Sequence, residues 1–239
     1  MLWMKNWMET RWRFLSAVAV FSFVVISSYL QSANAPRPNL IPVEQRLGVT
    51  LSTFALFFVM QAVLLAGSGI KTQAPFRVGK GLHGSMHFTL SLPVSRLRLL
   101  ATRTGMGALE LFMAVLLGVT GLVLLLPRQF PERTFLVLDA VEYAFTVFAC
   151  LIACFCVSVV LATFLDDVWQ MWGSIILLGA VRGLAGVVNI PEKFDPFRAL
   201  GSASPFMTHT IPWGAVAVCL TLAAALWLLA ARIVRTRDY

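Results

Sequence analysis

The feature that most constrains this chain is a series of long apolar runs. They cover approximately Phe14–Leu30, Leu47–Ile70, Gly105–Leu126, Ala140–Leu165, Met171–Val188 and Trp213–Val234. A helix needs about 20 apolar residues to cross the ~30 Å hydrocarbon core of a bilayer, and most of these runs reach that length. Run length separates a span from a core helix. The sequence therefore predicts an all-α membrane protein of six transmembrane helices in one domain, residues 1–239. Composition agrees, because 13% of the 239 residues are charged and 59% are hydrophobic, with a mean hydropathy of +0.81. A soluble domain carries about 25% charged residues, so this chain lacks the polar surface of a soluble enzyme.

Where the charges lie decides what the net charge of +8 means. Nucleic acid is excluded as a partner, because the basic residues sit at the ends of apolar runs, as topology determinants do. With the N-terminus inside, the inside segments hold Lys5, Arg11, Arg13, Lys71, Arg77, Lys80, Arg96, Arg98, Arg103, Arg232, Arg235 and Arg237. The outside loops hold Arg37, Arg46, Arg128, Arg133, Lys193 and Arg198. That twelve-to-six bias predicts cytoplasmic N- and C-termini in a multi-pass protein of the cell inner (cytoplasmic) membrane. The first run follows a charged, Trp-rich segment with no clean small-x-small cleavage site before Pro36. It is expected to stay as a span rather than be removed as a signal peptide.

Three segments outside the spans carry pattern. In Met1–Arg13, Trp3 and Trp7 share one helical face with Met4 and Met8, while Lys5, Glu9 and Arg13 form a separate polar stripe. This suits an interfacial amphipathic helix with Trp anchors in membrane lipid, or else an extension of the first span. The inside loop 71–104 breaks at Pro75 and Pro93 and reads as two short helices, over Leu82–Ser91 and Arg96–Arg103. Ser95 is placed to N-cap the second, which leads into the third span. The outside loop 189–212 has Pro191, Pro196, Pro205 and Pro212 but keeps Phe194, Phe197, Leu200, Phe206 and Met207. A loop this apolar is expected to be partly re-entrant or packed on the spans, since non-helical backbone at depth must be buried in protein.

Few residues point to chemistry. The nearest approach to a phosphate-binding loop is Gly67-Ser68-Gly69-Ile70-Lys71-Thr72, which lacks the glycine before the lysine and follows no strand. No nucleotide site, other cofactor or metal is expected on this chain. His83 and His87 have a zinc-compatible spacing without an accompanying Glu or a clear third ligand; a polar helix side is the plainer reading. His209 reads as isolated polar surface. Asp166 and Asp167 read as a solvated turn rather than a metal site. Cys150, Cys154, Cys156 and Cys219 lie inside apolar runs and read as buried thiols. Charges within spans usually mark a path or a pair, which singles out Glu110, Glu142 and Arg182. Glu110 and Glu142 lie near the ends of their spans. Arg182 is deeper, and either faces a cavity, pairs with Glu142 or snorkels outward. Gly179 and Gly183 form a small-xxx-small pair, which points to a helix interface within the chain or with a second copy.

The run Gly84-Ser85-Met86-His87-Phe88-Thr89-Leu90-Ser91-Leu92-Pro93-Val94-Ser95-Arg96, followed by Leu99-Leu100 and Arg103, resembles the hallmark of ABC-2 type transporter permeases. The segment Lys5…Glu9-Thr10-Arg11-Trp12-Arg13-Phe14 looks like the connecting helix of that family, and Arg235-Thr236-Arg237-Asp238-Tyr239 is similar to its frequent terminus. The chain departs from the pattern where Lys80 and His83 stand in place of an acidic residue, and where Arg103 stands for a lysine. The resemblance implies a transmembrane subunit of an exporter, itself no enzyme. ATP and magnesium would bind a separate ATP-binding subunit. A coupling helix would dock on that subunit through Gly81, Leu82, His83, Gly84, Ser85, Met86, His87, Phe88, Thr89, Leu90 and Ser91, with Pro93, Ser95 and Arg96 shaping the exit. A second permease copy or a homologous permease would complete the assembly, and the cargo would be hydrophobic or amphipathic. The competing readings are a membrane-embedded enzyme using His83, His87 and Asp166 or Asp167, and a non-transporting assembly protein that recruits an ATPase.

Overall fold

The structure is a computed structural model that describes residues 42–66, 95–131, 133–165, 167–188 and 190–236, with isolated positions between Trp7 and Ile26. Those isolated positions are helical. The expected first span, the amphipathic segment 1–13 and the coupling segment 81–93 otherwise lie outside the described residues, as do His83, His87 and Asp166.

Among the described residues the fold is all helical, and five helices are long and apolar enough to cross a membrane. We number the helices α1 (Val43–Ala66), α2 (Arg96–Gln129), α3 (Val137–Ala162), α4 (Asp167–Val188), α5 (Pro196–Ala199), α6 (Pro205–Thr208) and α7 (Trp213–Thr236). A 3-10 turn, Glu192–Phe194, precedes α5. Helices are the form in which a spanning segment meets its own backbone hydrogen bonds without water.

Two boundaries differ from expectation for physical reasons. The third span does not start at Gly105. Ser95 Oγ accepts the Arg98 N–H at 3.3 Å, and the helix begun there runs unbroken for 34 residues. The basic stretch Arg96–Arg103 and the span are thus one rigid element. Likewise α4 starts at Asp167, four residues before the apolar run. The ends of a helix can be polar while its backbone bonds continue, so apolar run length underestimates both.

The long helices alternate in direction, with α3 at the centre, packed against α1, α2, α4 and α7. Its buried face mixes large and small side chains, including Tyr143, Val147, Cys150, Leu151, Phe155 and Ser158. Gly107 on α2 lets that helix approach α3 closely, because a Cβ there would lie 2.8 Å from the Phe155 ring. At one end of the bundle, segment 190–212 folds over the helix ends; we call this the capped end. The expectation that this loop packs on the spans holds. Ala199, Leu200, Pro205 and Phe206 are buried, and the short helices lie against α3 and α7. Asp195 caps α5 by accepting from the N–H groups of Phe197 (2.9 Å) and Arg198 (3.4 Å).

Candidate functional site

Two polar constructions hold the bundle, one at each end. Away from the cap, Gln170 of α4 donates to the Val63 carbonyl of α1 at 3.4 Å. Ser174 donates back to the Gln170 carbonyl at 2.7 Å and lies 2.9 Å from the Ser158 hydroxyl of α3. All three side chains are buried, and hydrogen bonds between spans act as local glue where water is absent. On the same side Trp227 Nε1 of α7 donates to Thr104 Oγ1 of α2 at 3.2 Å.

At the capped end the first turn of α3 anchors the cap. The buried Asp139 carboxylate accepts the Leu136 N–H at 3.3 Å, which caps α3, and its same oxygen lies 2.9 Å from His209 Nδ1. His209 ends α6 in the left-handed region, at φ 53°. One turn along α3, the Tyr143 hydroxyl donates to the Leu200 carbonyl at 3.3 Å. Arg133 donates to the Met207 carbonyl at 3.0 Å. Phe206 fills the space between Tyr143 and Phe135, with ring centroids 4.9 and 6.0 Å away. His209 is therefore not isolated polar surface. It is the cap's partner for a buried carboxylate, 70 residues away in sequence.

Of the residues singled out from sequence, Ser95 is the N-cap of α2 and Arg96 its first residue. Glu110 is buried within α2. Glu142 is half-buried on α3, and its Oε2 has no hydrogen-bond partner among the described residues. Arg182 does not pair with it. The exposed Arg182 side chain places its guanidinium 5.1 Å from the Phe197 ring centre in the cap. Of the three alternatives for Arg182, the structure takes the outward one: a long side chain carries its charge toward the end of the span and rests on an aromatic face. Glu110, Glu142 and Arg182 thus do not converge on one cavity. Gly179 and Gly183 make no close contact among the described residues, since a Cβ at either, or at Gly186, would meet nothing of them within 4 Å.

The four cysteines are free, and Cys150, Cys156 and Cys219 are buried within the bundle. Among the described residues no three His, Cys, Asp or Glu side chains gather as a metal site. No family model matches the chain, and no curated protein or solved structure matches it either. The sequence signals for the two polar constructions were faint. Asp139 stands three residues after Leu136, as a capping residue would, but its pairing with His209 has no local signature.

Proposed function

We propose that this multi-pass membrane protein is the permease subunit of an ABC-2 type exporter in the inner membrane, with both termini cytoplasmic. It would move a hydrophobic or amphipathic substrate outward, using ATP and magnesium bound by a separate ATP-binding subunit that docks on Gly81–Ser91. The observation that carries this reading is the start of α2. Its 34 residues make a rod of about 51 Å at 1.5 Å per residue, some 20 Å longer than the hydrocarbon core. The Ser95 cap fixes where that rod begins, within the family-like run Gly84–Arg96. A displacement of the preceding loop therefore enters a continuous lever. At Gly107 the backbone of the lever lies directly against the Phe155 ring of α3. This is the mechanical connection that an exporter driven by a separate motor requires.

The assembly would be completed by a second permease copy seated on α4. Its face is open at Gly179, Gly183 and Gly186, and small residues let two spans approach closely.

The test is co-purification of this chain with an ATPase encoded by a neighbouring reading frame. Binding is expected, and deletion of Leu82–Ser91 is expected to abolish the effect of the permease on ATP hydrolysis. No binding, or hydrolysis unaffected by the deletion, overturns the reading. A bound metal lost in His83→Ala would favour a membrane-embedded enzyme instead.

A further inference from the structure

At the capped end, the outward face of α1 forms one side of an open groove of about 480 Å³, whose other wall includes Ser202 of the cap. The volume lies within the ~300–1,000 Å³ usual for small-molecule sites. Its floor is Gly48, where a Cβ would meet nothing within 4 Å. Its composition changes along its length. Glu44 and Gln45 stand at its mouth, Ser52 and Thr53 lie further along, and Val49 and Leu56 supply apolar surface. From Glu44 to Leu56 the helix rises about 18 Å, close to the ~15 Å of hydrocarbon in one leaflet, half the ~30 Å core. With the start of α1 at the membrane interface, a groove of that length would reach toward the midplane, with Glu44 and Gln45 at one end and Leu56 at the other.

We infer that this groove binds a phospholipid with a primary-amine headgroup, drawn from the leaflet at the capped end. The charge pattern selects the headgroup. Among the described residues, Glu44 is the one charged side chain lining the groove. The neighbouring Arg46 is turned elsewhere, with its guanidinium 5.7 Å from the Phe130 ring centre. A carboxylate at the mouth favours a cation, and a primary ammonium offers three N–H donors to it. A quaternary ammonium offers none. The Gln45 amide and Ser202 hydroxyl, both exposed and lining the groove, supply donors for the lipid phosphate. Thr53 Oγ1 already donates to the Val49 carbonyl at 2.9 Å, which leaves its methyl and Leu56 to meet the acyl chain. This inference goes beyond the permease reading, because the groove would hold lipid whether or not the chain moves a substrate.

The experiment titrates the purified full chain in detergent with phosphatidylethanolamine, phosphatidylcholine or phosphatidylglycerol of identical acyl chains, reading thermal stabilisation and retained lipid by native mass spectrometry. Phosphatidylethanolamine is expected to bind best, by roughly fivefold, the scale of one exposed charge contact. Glu44→Gln is expected to erase that preference while keeping the lipid-free melting temperature. Gly48→Trp, which fills the floor, is expected to lower retention of all three lipids. Equal binding of the ethanolamine and choline lipids by the wild-type chain overturns the inference, as does a preference that survives Glu44→Gln. No ATPase or transport assay enters, so its failure leaves the permease reading standing, and the reverse also holds.

Discussion

Helices α3 and α4 follow one another in sequence, have 26 and 22 residues, and are both apolar enough to cross a membrane, α3 the more so. Of the most apolar window of α3, 56% is buried inside the chain, against 11% for α4. Hydrophobicity alone does not explain the difference. In a bilayer, lipid solvates an apolar side chain as well as another helix does, so burial is decided by close packing and by polar contacts between spans. Helix α3 has both: Phe155 against Gly107, the Ser158–Ser174 pair, and the Asp139 and Tyr143 contacts to the cap. Helix α4 has them only away from the cap, through Gln170, Ser174 and Gly173. Nearer the cap, Arg182 rests on Phe197 while Ile176, Leu184 and Val187 are exposed.

The sharpest way to break this contrast is to truncate one large aromatic on each helix. Tyr143 is fully buried on α3 and Trp172 is half exposed on α4. Tyr143→Ala leaves a cavity against Phe206 and deprives the Leu200 carbonyl of its donor, a loss of roughly 3 kcal/mol. Trp172→Ala should cost less than about 0.5 kcal/mol, as surface changes do. Thermal unfolding in detergent checks both. Equal losses would mean that the two helices are packed alike and that the contrast is false.

A smaller loss is expected at Gly214, in the first turn of α7. A Cβ there would collide with the backbone carbonyl of Lys193, and backbone yields less readily than a side-chain tip. Gly214→Ala should destabilise by about 2 kcal/mol and loosen the cap, read as faster proteolysis within 190–212. Gly183→Ala, on the open face of α4, should do neither.

Next in size is the pin on α3. Asp139→Ala removes the cap of α3 and the partner of His209 together, at about 1–2 kcal/mol. His209→Ala removes only the second contact and should cost less. The melting temperatures of the two variants check the order. If His209→Ala cost as much as Asp139→Ala, the carboxylate would act through the cap loop rather than through α3.

These contacts also mark where sequence ran out. The centres of the long helices were legible because an apolar run of bilayer length has few other uses. The start of α2 was half legible. Ser95 was readable as a cap and Arg96–Arg103 as a helix leading into the span, but not that the two are one unbroken helix, because apolar counting excludes Arg98, Thr102 and Arg103. The packed cap was legible from Phe194, Leu200 and Phe206; its short helices were not read, although the Asp195-Pro196 and Ser204-Pro205 pairs carry their signature. The Asp139–His209 pin was not, because it joins positions 70 residues apart. Nor was the outward turn of Gly179 and Gly183. A small-xxx-small pair says that a face permits close approach, not which neighbour approaches.

That last point gives the prediction with the smallest effect on the fold. Gly183→Leu places a large side chain where even a Cβ meets nothing within 4 Å. Among the described residues it has nothing to strike, and leucine favours the helix over glycine by up to about 1 kcal/mol. The melting temperature in detergent should therefore hold steady or rise slightly. A second copy seated on this face would lose the close approach that Gly179 and Gly183 permit, and its self-association should weaken by tenfold or more, on the order of 1.4 kcal/mol. Cross-linking across a concentration series reads the two effects separately. A variant that melts like the wild type and still associates like it would show that this face of α4 meets lipid alone, and would move the search for a permease partner to another helix.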